Sequence, residues 1–211
     1  MHVLIYPAPH PITEEVIAST VQRQIKNWRA EKDYVTWLKV VNETGKVVAG
    51  ARWIVHPKPA SETDSEKGKR WPDKVDVTWI EDGLIERIPS GNAGKGVDDK
   101  LYVEWVMDQL FGRRREGVQG PAVLLDICYT SPTHHRLGAG KQLVQWGTAK
   151  ADELGVKAFV EASYTGRRLY ESCGFEVKEH VLLKGGEAKS EWKDYGELGY
   201  YWMEREAKAK H

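Results

Sequence analysis

The chain has 211 residues, enough to bury one large core or two small ones. Its 31 Lys and Arg balance 31 Asp and Glu, so it lacks the basic excess that would point to nucleic acid or an anionic membrane. The 2 cysteines suggest neither a disulfide framework nor a metal site, and no run is apolar for long enough to span a bilayer, so a metal-free protein of a reducing, cytoplasmic-type compartment is expected.

The opening Met-His-Val-Leu-Ile-Tyr-Pro is too short for a signal peptide. Residues 3 to 6 are compatible with a short strand, and Pro7, Pro9 and Pro11 disfavour regular structure after it. Thr13 is a good N-cap for a helix to residue 29, with Glu14 and Glu15 in its first turn. Ile17, Val21, Gln24, Ile25 and Trp28 give that helix a stripe with one polar interruption. Strands follow at 34 to 41 and 46 to 55, joined by a hairpin turn at Asn42-Glu-Thr-Gly45, where the glycosylation sequon reads as a turn. Gly50 inside the second strand predicts a bulge or a close approach. Residues 57 to 74 read as a polar loop, and 75 to 88 as a short helix. Ser90-Gly-Asn-Ala-Gly-Lys-Gly96 lacks the spacing of a nucleotide-binding loop and reads as a flexible loop. Tyr102, Trp105, Val106 and Leu110 place a helix over 98 to 112. Arg113, Arg114 and Arg115 suit its negative pole and form an expected solvated basic cluster.

The organising stretch is Asp126 to Trp146. A buried strand, 122 to 129, carries one acid, Asp126. A turn with Pro132, His134 and His135 leads to Arg136-Leu137-Gly138-Ala139-Gly140-Lys141 and a helix to 154, stopped by Gly155. Strand, glycine turn and helix together present unpaired N–H groups to an anion, and the glycines admit it close to the backbone. A strand at 156 to 162, a short helix at 166 to 172, a strand at 175 to 183, a loop at 184 to 196 and a last strand at 198 to 203 complete the reading. The tail 204 to 211 is expected to be frayed.

Val160-Glu161-Ala162-Ser163, Gly166, Leu169-Tyr170 and Cys173-Gly174-Phe175 resemble the second half of the GNAT superfamily of N-acetyltransferases. His135-Arg-Leu-Gly-Ala-Gly140 is similar to that family's acetyl-CoA signature, Gln/Arg-x-x-Gly-x-Gly/Ala, with His135 in the first position. The two motifs follow in the family's order and cover roughly 122 to 180. The resemblance implies a single α/β domain over 1 to 211, with a mixed, mostly antiparallel central sheet flanked by helices. The family opens with a strand that is either residues 3 to 6 or absent, and absence is favoured slightly.

The same resemblance implies acetyl transfer from acetyl-CoA to an amine, which needs four things. Backbone N–H groups of Arg136, Leu137, Gly138, Ala139, Gly140 and Lys141, with the charges of Arg136 and Lys141, would clamp the pyrophosphate, and His135 and Ser163 would join the cofactor site. The family's splayed strand edge, which maps to Cys128, Tyr129 and Thr130, would hold the pantetheine and polarise the thioester carbonyl. Tyr170 matches the family's proton donor to the departing thiolate. The base is Asp126 or Glu161, each a carboxylate in an apolar strand. Glu161 is often carried in the family without that role. For Asp126 a base and a structural acid are equally compatible with the sequence. Cys128 as an acyl carrier lacks an assignable His partner.

The expected function is therefore N-acetylation of a small-molecule primary amine by direct attack, in a monomer or homodimer. A protein or peptide N-acetyltransferase, or a non-catalytic acyl-CoA sensor, are the alternatives. Trp28, Trp79 and Trp105 either line the acceptor pocket or, by the plainer reading, fill the core.

Overall fold

The computed structural model describes residues 14–57, 99–195 and 197–208. The expectations for residues 3 to 6, Thr13, the rest of the loop 57 to 74, the helix at 75 to 88, Trp79 and the glycine-rich stretch 90 to 96 fall outside those residues.

Helix α1 is Glu14–Glu31, followed by β1 (Val35–Val41), β2 (Val47–His56), α2 (Asp99–Gly117), β3 (Ala122–Thr130), α3 (Ala139–Leu154), β4 (Lys157–Ala162), α4 (Arg167–Glu171), β5 (Glu176–Lys184), α5 (Gly185–Ala188) and β6 (Glu197–Arg205). The six strands form one sheet in the order β1-β2-β3-β4-β6-β5. The β1–β2, β2–β3 and β4–β6 pairs are antiparallel and β3–β4 is parallel. This is the mixed, mostly antiparallel sheet with flanking helices that the sequence implies. Where the sequence predicts an unbroken loop over 184 to 196, the chain instead folds α5 and a 3₁₀ turn at Ser190–Tyr195.

Two compact units divide the chain, one of residues 1–25, 60–119 and 182–199, the other of 26–59, 120–181 and 200–211. In the first, Tyr102, Val106 and Leu110 lie buried along α2 at helical spacing. Tyr102, Trp105 and Trp192 form a ring cluster with centroids 5.5 to 5.9 Å apart. Trp105 thus packs in an aromatic core, as the plainer reading held. The basic cluster is not solvated throughout. Arg114 is 3% exposed with its guanidinium over the Phe111 ring, and Arg115 pairs with Asp108 at 3.4 Å. Position at the negative pole places the charges, but α2 runs on to Gly117 and turns Arg114 inward.

The second unit holds most of the sheet. Alternation along the strands sends Ala51, Trp53, Val123, Leu125, Ala158, Val160 and Met203 to one face, where they pack with Leu143, Val144 and Ala151 of α3. The helix is pinned at two points. Trp53 Nε1 donates to the Leu143 carbonyl at 3.1 Å. A Cβ on Gly147 would lie 2.2 Å from the Trp53 ring, so only glycine lets α3 sit this close. The tail is not frayed at its start. Arg205, 5% exposed, donates to both Asp152 carboxylate oxygens at 2.8 Å, and the Lys208 N–H donates to the same carboxylate at 2.7 Å. The stripe on α1 is also less buried than its pattern implies, with Ile17, Val21 and Trp28 exposed.

Candidate active site

The site begins with a break in strand register. Along β2 and β3 the pairs run from His56↔Ala122 to Trp53↔Leu125, then resume at Arg52↔Ile127. Asp126 is the extra residue of a β-bulge, and every side chain after it changes face relative to simple alternation. Cys128 therefore joins the α3 face, and Tyr129 lies against Gly50, whose added Cβ would meet the Tyr129 ring at 2.7 Å. Gly50 is thus a close approach; Asp126 bulges in the partner strand, and β2 has its own register irregularity at Val48, where it pairs with β1.

The bulge coincides with a second break. β3 and β4 pair only over Ala122↔Lys157 to Leu125↔Val160. Beyond those pairs the two strands part, and the β3–β4 ladder does not continue along 127 to 130. The first residues past the last pair are Asp126 and Glu161. Asp126 lies on the face opposite α3, where its Oδ2 accepts a hydrogen bond from Arg52 at 2.6 Å. Alternation puts Glu161 on the same face, opposite Trp202 of β6. The two candidate bases thus flank the mouth of the parting.

At the end of β3 the chain turns sharply into α3. The Ser131 N–H bonds the Val48 carbonyl at 2.7 Å, and a His135 ring nitrogen lies 2.9 Å from the Thr130 carbonyl. His135 thereby ties the turn back to the strand, a role that the sequence did not reveal. Arg136 takes a left-handed backbone, φ 63°, and Gly138 follows with φ 88° as the residue before the helix. Glycine suits that conformation, which costs other residues energy. No side chain caps the helix, so the first N–H groups of α3 depend on another acceptor. A bound pyrophosphate fits that need, with the exposed Arg136 and Lys141 beside it. Leu137 is exposed and Ala139 buried, so the backbone rather than their side chains suits a clamp. A Cβ on Gly140 would lie 3.4 Å from Thr130 Oγ1, which places the clamp next to the end of the parted strand.

Tyr170, on α4, is 8% exposed and packs its ring against Phe175. Its hydroxyl and the Cys128 thiol influence one another's titration. Burial, followed by the neighbouring Cys128, drives the Tyr170 pKa well above its ordinary value, so the phenol keeps its proton. Burial also pushes the Cys128 thiol up to about 11, against the opposing influence of Tyr170. A thiol in that state is a poor nucleophile near neutral pH. Ser163 Oγ accepts the Gly166 N–H at 3.1 Å and so shapes the loop ahead of α4.

Sequence reasoning singled out Asp126 and Glu161 but missed Arg52 and Glu31. The signal was present in Arg52, a cation inside the apolar run Val47–His56 that needs a buried partner as much as Asp126 does.

Among the described residues no group of three or more His, Cys, Asp or Glu side chains is arranged to hold a metal ion, and no helix is long and apolar enough to cross a membrane.

Residues 102–175 match the acetyltransferase (GNAT) family. The fold is similar to that of arylalkylamine N-acetyltransferase 2 from Aedes aegypti, with TM-score 0.56, 10% identity and coverage of 95% of this chain and 81% of that one. It is also similar to a mosquito arylalkylamine N-acetyltransferase-like protein 5b, with TM-score 0.54, 14% identity and coverage of 97% and 86%. At these identities the likeness is one of fold. Comparison with curated proteins gives no significant match.

Proposed function

The chain carries the GNAT acetyltransferase signature over residues 102–175 on that family's fold, and from this premise we propose that it moves an acetyl group from acetyl-CoA to the primary amine of a small molecule by direct attack. The observation that carries this reading is the parting of β3 and β4 after Leu125 and Val160, next to the uncapped N-terminus of α3.

In this reading the backbone N–H groups of 136 to 141 hold the pyrophosphate, with His135 and Ser163 shaping the walls of the cofactor site. The β3 edge at Cys128, Tyr129 and Thr130 holds the pantetheine, and its fixed N–H donors stabilise the oxyanion as the thioester is attacked. Asp126 or Glu161, directly or through water, takes a proton from the incoming ammonium, since amines are mostly protonated at neutral pH. The freed amine nitrogen bonds to the carbonyl carbon and the carbon–sulfur bond breaks. Tyr170 gives its proton to the departing thiolate and is reprotonated by the one that the nitrogen releases. The sum is an amide, free coenzyme A and one proton. Cys128 stays a protonated wall of the site and carries no acyl group. The whole chain acts as one catalytic domain in a reducing, cytoplasmic-type compartment.

The test is acetyl-CoA-dependent thiol release over a panel of small primary amines beside peptides with free N-termini and lysines. Release with the small amines is expected. Release with peptides alone would move the acceptor to a protein, and binding of acetyl-CoA without release on any acceptor would favour a sensor.

A further inference from the structure

Beside the β3 bulge stands a charged group that the reaction scheme leaves unexplained. Arg52 stands on β2 opposite Ile127, at the point where the bulge displaces Asp126. Its guanidinium donates to Asp126 Oδ2 at 2.6 Å and to Glu31 Oε2, at the end of α1, at 2.5 Å. All three side chains are mostly withdrawn from water, with exposures of 13% for Arg52, 14% for Asp126 and 27% for Glu31. Three charges at this depth are costly unless each is paired, and the single Arg52 fork serves both acids. A planar guanidinium bridging two carboxylates fixes direction as well as charge, which a lysine would not do.

One end of this bridge is the bulge itself. The residues that follow it, Cys128 to Thr130, are those whose backbone donors the proposed reaction needs. Their phase along β3 is set by the extra residue that Arg52 holds. Arg52 is flanked by Glu31 and Asp126, with Tyr34, near Glu31, also sensing its charge.

We propose that Arg52 is a positioning residue of the acetyl-transfer site: by bridging Asp126 and Glu31 it fixes the β3 bulge that aims the thioester's backbone donors. The proposal rests on the acetyltransferase reading.

The experiment compares the parent with Arg52→Met, Arg52→Lys and Asp126→Asn. It measures thermal unfolding, acetyl-CoA affinity by calorimetry, and kcat and KM for the best amine of the panel. Arg52→Met is expected to lower kcat at least 30-fold while acetyl-CoA affinity changes less than threefold, since the clamp at α3 is untouched. Arg52→Lys should recover only a minor part of that loss. Asp126→Asn, which removes the other end of the bridge, should lower kcat in the same sense, again with acetyl-CoA affinity changed less than threefold. Folded Arg52 variants with the parent's kcat would overturn the positioning role. These results leave the acetyltransferase reading standing, because the parent turns over. A parent that binds acetyl-CoA but transfers to no acceptor would sink that reading and this proposal with it.

Discussion

Tyr170 and Cys128 are electrostatic neighbours and take opposite parts in the account. Burial raises the pKa of each, which makes the phenol a donor that stays loaded and the thiol a nucleophile that stays blocked. Tyr170→Phe is therefore expected to lower kcat about 100-fold, the scale of a lost general acid, with acetyl-CoA affinity unchanged. Steady-state kinetics with a parallel calorimetric titration checks both halves. Cys128→Ala should keep at least a third of the parent's kcat and show no acyl-enzyme by mass spectrometry. A covalent acetyl adduct on the parent at Cys128 would overturn direct attack. Both residues were placed by their match to the family's motifs, but what each does depends on burial. That is a property of the fold, which one-dimensional patterning does not reveal.

At the scale of elements, α3 carries the clamp and its docking sets the clamp's place. Gly147→Ala puts a methyl group into the Trp53 ring, since the added Cβ would stand 2.2 Å away. Overpacking of this kind costs about 1–3 kcal/mol, read as a fall in the denaturation midpoint, and should weaken acetyl-CoA binding by displacing the helix N-terminus. The strands and helices of this region were legible because apolar periodicity is local, and Gly155 ends α3 where the sequence places its stop. The bulge at Asp126 was not legible. It is a register offset between β2 and β3, and the Arg52–Asp126 pair that holds it spans 74 residues. Gly50 did signal the right place: the Tyr129 ring approaches it closely, and β2 has a register irregularity of its own at Val48.

For the molecule as a whole, the last described residues act as a brace. Arg205 and the Lys208 N–H converge on Asp152 of α3, a pairing 53 to 56 residues apart that the polar composition of the tail gave no reason to expect. The hydrogen bond from Arg205 holds the Asp152 carboxyl below its ordinary value, despite an opposing push from burial. A depressed carboxylate stabilises the folded state above its unfolded pKa, and that contribution is lost as pH falls through the folded value. Asp152→Asn, which leaves the buried Arg205 without its counter-charge, should cost roughly 3 kcal/mol at neutral pH. The difference from the parent should shrink below about pH 4, which denaturation curves across pH would display. Every step of the proposed chemistry presupposes a chain that holds acetyl-CoA at the N-terminus of α3. The direct measurement is calorimetric titration of the parent and of Gly138→Trp with acetyl-CoA and with free coenzyme A. The account predicts saturable binding of both ligands to the parent and at least tenfold weaker binding to a folded Gly138→Trp. No binding to the parent at millimolar ligand would contradict it.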